Sequence, residues 1–185
     1  SLQAVASKAY DAGFLPIVLA FLKDHPWLAE PVLAAWYHGF FIQTDANATE
    51  HFESLKNLMF EHGALFSDSE RHDLFLIAVN FSIRRINSGD TAFSKDLFEL
   101  YREGLHQDVF LENGIISRWS YNNIVNSALK MKEIAWAMQF LEDNRAKLEP
   151  AYRDTSYYFN LARCLNLPTR WKASPVWNTT MYCKT

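Results

Sequence analysis

Apolar positions along this chain recur mostly at steps of three and four, the spacing that lines one face of a helix. Leu2, Val5, Ala6 and Ala9 make such a face over Leu2–Ala12, stopped by Gly13. Phe14–Leu22 forms a second apolar segment, ended by Lys23-Asp24-His25-Pro26. Its period is blurred, which predicts cover on more than one side. Over Trp27–Gln43 the residues Leu33, Trp36, Tyr37, Phe40 and Phe41 are in helical step. Pro31 fits the first turn if the regular helix starts near Glu30. Asn47 with Glu50 reads as a capping box that opens a helix to about His62, with Phe52, Leu55, Leu58 and Met59 inward. Ser67 with Glu70 reads as a second capping box, opening a long helix to about Ser88, and Gly89 sits where a C-terminal glycine belongs. The run Leu74–Val79 is continuously apolar and predicts a central helix with neighbours on both sides.

The second half continues in the same mode. Phe93, Leu97, Leu100, Tyr101 and Leu105 mark an amphipathic helix over Thr91–His106, followed by a loop around Glu112-Asn113-Gly114. Beyond Ser117, the residues Tyr121, Ile124, Val125, Ala128 and Leu129 form a clean stripe. The next helix carries Ile134, Ala137, Met138, Leu141 and Leu148, with Trp136 and Phe140 on a second face. A helix with two apolar faces belongs inside a stack. Pro150 starts another helix with Tyr158, Leu161, Ala162 and Leu165 in step. Tyr121 and Tyr158 lie 37 positions apart, as do Asn123 and Asn160. A period of that size filled by two helices marks a helix-turn-helix array.

Leu167–Thr185 breaks the pattern, with two Pro, two Trp, four Thr, three basic residues and no acidic ones. The division expected is therefore a single helical-repeat domain over residues 1–166. Residues 167–185 then form an irregular arm, either a truncated repeat or a non-native end.

Residues 120–163 resemble the tetratricopeptide and pentatricopeptide class of helical repeats. Tyr121-Asn122-x-Ile124-Val125-x-x-Ala128-x-Lys130, then Ala137 and Leu141, is similar to one pentatricopeptide-type unit, and Tyr158-Phe159-x-Leu161-Ala162 to the start of the next. Asn80-Phe81 resembles an earlier copy. The chain is also similar to bacterial helical-repeat proteins of unassigned activity. The resemblance implies an all-α fold of about nine or ten helices, paired antiparallel and stacked as a right-handed superhelix with a concave groove. It implies a non-catalytic scaffold that binds a protein or peptide. The pentatricopeptide side of it implies an alternative, single-stranded RNA read by Asn122, Asn123 and Asn160. The opposing reading of these Asn side chains is that they bond across contacts between repeats.

Composition narrows the picture. A charged share of 21% and an apolar share of 49% are those of a folded chain. The net charge of -3 argues against a general nucleic-acid binder. It is uneven, with 6 basic and 11 acidic side chains in residues 1–90 against 12 and 10 after them. Cys164 and Cys183 do not make a disulfide framework, and a reduced cytoplasmic setting is the simpler reading. Leu2–Ala12 does not read as a secretory leader, and Phe14–Leu22 is too short to span a bilayer.

Six histidines raise the question of metal. None forms His-x-x-x-His, and no Cys stands at ligand spacing from any of them, so no metal or cofactor is expected. The acidic pairs Asp68/Glu70, Glu142/Asp143 and Asp11/Asp24 read as caps and solvated faces. No phosphate loop, serine elbow or Cys-His pair supports an enzyme. The candidate partner-binding residues are Arg84 and Arg85, the densest basic spot, with Asn80, Asn123 and Asn160. The face of Tyr158, Leu161 and Leu165 is a candidate for self-association if no further helix covers it.

Overall fold

A computed structural model describes residues 15–166 of the chain. The helix expected at Leu2–Ala12 and the arm at 167–185 lie outside these residues. The fold is all-α. Its helices are α1 (Leu15–Lys23), α2 (Pro31–Thr44), α3 (Thr49–His62), α4 (Asp68–Asn87), α5 (Phe93–His106), α6 (Arg118–Lys130), α7 (Ile134–Asn144) and α8 (Arg153–Cys164). Short 3-10 turns occupy Pro26–Ala29, Gly63–Leu65 and Pro150–Tyr152. Among the described residues no helix is long and apolar enough to cross a membrane.

Neighbours in sequence are neighbours in space. Helix α2 packs on α3 and α4, α4 on α3 and α5, α5 on α6, and α6 on α7 and α8, while α7 also meets α8. Helix α4 holds the middle of the first half, with nine buried residues from Leu74 to Ile86, as its continuous apolar run predicts. Rings fill its junction with α3 and α5: Phe52 stacks on Phe81 at 5.2 Å, and Phe93 meets both edge-on. The second half has its own aromatic joint. Trp136 meets Phe98 of α5 edge-on at 5.0 Å and stacks on Phe140, which lies against Tyr121 of α6. Trp136 and Phe140 thus form the second face that their spacing predicts. The Tyr121 hydroxyl, buried with its ring, donates to Leu141 O at 3.1 Å.

Local signals explain several boundaries. Pro31 takes the first position of α2, after Glu30. At α4, Ser67 Oγ accepts from Glu70 N while Glu70 accepts from Ser67 N, a complete capping box. Gly89 follows that helix at φ 101°, a region open to glycine. At α6, Ser117 Oγ accepts from Ser120 N at 3.1 Å.

Other expectations are corrected. Asn47 makes no capping box: α3 starts after Ala48 without a side-chain cap. The Asn47 Oδ1 is taken instead by Arg85 Nη1 at 3.0 Å. Among the described residues nothing covers α1 on more than one side: Ile17, Val18 and Phe21 are exposed. Its principal contact among the described residues is the turn that follows it. In α2 the buried residues are Ala34, Ala35, Tyr37, Gly39 and Ile42, so of the residues in helical step Tyr37 alone is buried. Small side chains there allow close approach, and Trp36 and Phe41 pack from its edge. The loop at Glu112-Asn113-Gly114 is a hairpin in which β1 (Leu111–Glu112) pairs with β2 (Ile115–Ile116). Asn113 and Gly114 both take positive φ, at 52° and 78°. Ile134 and Met138 of α7 are exposed rather than inward.

Burial does not follow the step of 37 residues either. Tyr121 is fully buried while Tyr158 is 56% exposed, so a step of 37 does not match equivalent positions. Burial matches at 36: Ser120 with Ser156, Tyr121 with Tyr157, Ile124 with Asn160 and Ala128 with Cys164 are all buried. One residue turns a helix by about 100°, which rotates Tyr158 and Leu165 outward.

Candidate functional site

Arg84 and Arg85 stand in the last turn of α4, where the start of the α2–α3 connection comes within reach. Arg84 Nη2 donates to Ile42 O at 2.6 Å, and its guanidinium lies over Phe81. Burial pulls its pKa below the ordinary arginine value. Arg85 Nη1 donates to Ala46 O at 3.1 Å and to Asn47 Oδ1, while its Nη2 pairs with Asp90 at 2.8 Å. Carbonyls at a helix C-terminus lack partners within the helix, and a cation there answers both the hydrogen bond and the dipole. The two arginines therefore fasten α4 to the end of α2 and the loop beyond it. Asn80, one turn before Arg84, is half-buried, and its Oδ1 has no hydrogen-bond partner among the described residues.

The other asparagines lie on α6 and α8. Asn160 is fully buried; its Nδ2 donates to Asn122 Oδ1 at 2.6 Å and to Ser156 O at 2.8 Å, and Arg163 donates to its Oδ1. Asn123 lies beside the hydroxyl of Tyr101, a buried tyrosine whose pKa burial raises and Asn123 partly restores. Asn160 is thus joined to Asn122 rather than to Asn123. Among the described residues no hydrogen bond or ion pair links this group to Asn80, Arg84 or Arg85.

Two further arrangements escaped the sequence reading. His38 in α2 faces His51 in the first turn of α3, with Nδ1 to Nδ1 at 2.8 Å. At that distance one ring donates and the other accepts, which requires at least one unprotonated ring. Phe41 stacks on His51 with centroids 4.3 Å apart, and Tyr37 touches both imidazoles. Burial lowers the pKa of both histidines. The facing His51 lowers His38 further, while Glu50 and Asp45 raise His51 in part. A signal was present: His38 and His51 stand on the two arms of a helical hairpin joined by the short Asp45–Ala48 connection, which brings facing positions of α2 and α3 together. Among the described residues no three His, Cys, Asp or Glu side chains gather as a metal site.

The second arrangement is at the start of α6. The Arg118 guanidinium lies 4.6 Å from the centre of the Trp119 ring and 4.3 Å from that of Tyr152. Trp119 is 53% exposed, an unusual state for the largest side chain. Nearby, Arg145 lies over Tyr157 and Tyr158 and pairs with Asp154 at 3.0 Å. What this end of the molecule offers is planar cations on aromatic rings, of which Trp119, Tyr152 and Tyr158 are exposed. Comparison with known proteins adds no name to this arrangement: no family model, no curated protein and no solved structure matches the chain.

Proposed function

We propose that this chain is a non-catalytic helical scaffold that binds a protein or peptide partner, its helix pairs forming a right-handed tetratricopeptide-like superhelix. The observation that carries the reading is the order of packing: α2–α3, α4–α5 and α6–α7 follow one another, each pair resting on the next. The 36-residue spacing of buried positions between α6 and α8 supports it too. Stacked pairs leave a continuous face on which an extended segment can lie. Exposed Trp119, Tyr152 and Tyr158 are residue types that anchor partner interfaces. The alternative, single-stranded RNA binding, has less support, because Asn122 and Asn160 bond each other and Arg84 and Arg85 hold carbonyls within the fold. Self-association through Tyr158 and Leu165, and a cytoplasmic setting, belong to the same proposal.

A tagged pull-down from source lysate, with and without ribonuclease, tests it. One protein partner retained after digestion, in stoichiometric amount, is the expected result. Enriched RNA with partners lost on digestion would replace the scaffold reading by the RNA one. Light scattering tests the self-association, and a monomer across a wide concentration range would remove it.

A further inference from the structure

We propose that Arg118, seated over Trp119 and Tyr152, anchors a carboxylate side chain of an acidic peptide; this rests on the partner-binding reading above. The site is built from three segments. Ser117 caps α6 and so fixes where Arg118 and Trp119 emerge. Tyr152 comes from the 3-10 turn before α8. The strand β2 holds the two together, because Ile116 N donates to Lys147 O at 2.8 Å and Glu149 N to Ile116 O at 3.3 Å. Leu148, between those bonds, is fully buried, and Arg153 Nη2 donates to Ala146 O from the other side. The rings beneath Arg118 are therefore set on braced backbone.

The guanidinium itself is uncommitted. Among the described residues Arg71, Arg85 and Arg145 pair with carboxylates, Arg84 and Arg153 hold carbonyls, and Arg163 holds Asn160. Arg118 has neither an acidic nor a hydrogen-bonded partner there. Arg102 shares that state, but it is exposed and lies over one ring alone. Arg118 is half-buried over two. Stacking holds a guanidinium's plane and leaves its N–H edge free, and that edge matches a carboxylate with two parallel hydrogen bonds. The exposed face of Trp119 offers apolar contact beside it.

The surroundings select a peptide over a polyanion. The same connection mixes signs: Arg145, Lys147 and Arg153 stand among Glu149 and Asp154, Asp154 pairs with Arg145, Arg153 holds carbonyls of the backbone, and Glu112 lies in the adjoining hairpin. A phosphate chain needs a continuous positive track and would meet the interspersed carboxylates. One carboxylate flanked by apolar side chains meets Arg118 and the rings.

Fluorescence anisotropy of the full chain tests the assignment with three labelled probes: a short peptide with Glu between Leu and Phe, its Gln counterpart, and oligouridylate. The expected result is binding of the Glu peptide about tenfold tighter than the Gln peptide, the difference one charge-assisted bidentate contact makes. Arg118→Gln should abolish that preference, Arg118→Lys should keep part of it, and Trp119→Ala should weaken both peptides. Circular dichroism and melting like those of the wild type establish that the variants fold. Equal binding of both peptides, no binding at millimolar concentration, or a preference kept by Arg118→Gln would each overturn the proposal. Tighter, Arg118-dependent binding of oligouridylate would overturn it in favour of nucleic acid. In the pull-down, a partner held equally by wild type and Arg118→Gln leaves the scaffold intact and removes this anchor. No partner on the wild type removes the scaffold reading itself.

Discussion

His38 and His51 form a contact that depends on charge state. Each has its pKa lowered below the ordinary value of 6.5, first by burial. The unfolded chain then binds protons that the folded one resists, so stability rises with pH across this window. It is fully present above about pH 6.5 and is lost as pH falls through the lowered values. Glu50 and Asp45, the acidic groups acting on His51, soften the loss without reversing it. Urea unfolding at a series of pH values should show a declining midpoint below 6.5, and His38→Gln should flatten that slope. A slope unchanged by the substitution would place its origin elsewhere. At Gly104 the limit is space: a Cβ would run into the Phe110 ring, which is buried against Tyr101 and Phe75. Gly104→Ala should destabilise by about 1–3 kcal/mol, the usual consequence of overpacking, read as a lower melting temperature.

Between elements, one charge carries an unusual share of the joint from α3 to α5. Lys56 Nζ reaches Asp96 of α5, Glu53 at 3.3 Å and Glu99 at 3.6 Å and lies 5.8 Å from the centre of the Phe52 ring, its side chain 12% exposed. Burial opposes the ammonium, yet the hydrogen bond and field of Asp96, helped by Glu53, hold its pKa above the ordinary lysine value. Lys56→Ala leaves three carboxylates facing each other around a vacated site. It should cost about 2–4 kcal/mol, more than an exposed pair would, and less at high salt where repulsion is screened. The start of α4 gives a smaller effect of known sign. Ser67→Ala removes the hydroxyl half of the capping box, the acceptor for Glu70 N, and leaves Glu70 on the backbone N–H of residue 67; it should cost about 1 kcal/mol in chemical denaturation.

Across the whole molecule, packing in chain order predicts graded stability. Helix α4, buried between α2, α3 and α5, should retain its amide protons longest in hydrogen exchange. Helix α1, with Ile17, Val18 and Phe21 exposed, should exchange first. Uniform protection from α1 to α8 would mean one cooperative unit rather than a stack.

The amino-acid sequence determined the all-α class, most helix boundaries and the central place of α4. Those properties follow from apolar spacing, capping residues and glycine at a helix end, all local in sequence. The Ser67–Glu70 box and Gly89 are legible because backbone ends need partners within a few residues. Asn47 misled because its oxygen had a second suitor, Arg85, 38 positions on, which no local rule counts. The spacing of 37 misled, because Tyr121-x-Asn123 and Tyr158-x-Asn160 match as letters while it is Tyr157 that the core takes. The hairpin at Asn113-Gly114 was legible in its turn residues and went unread. Only the tertiary structure decided which side chains meet: His38 with His51, Asn160 with Asn122, Arg118 with Tyr152. Such pairs depend on how helices rotate and approach, and packing fixes that rotation over the whole core at once, not residue by residue.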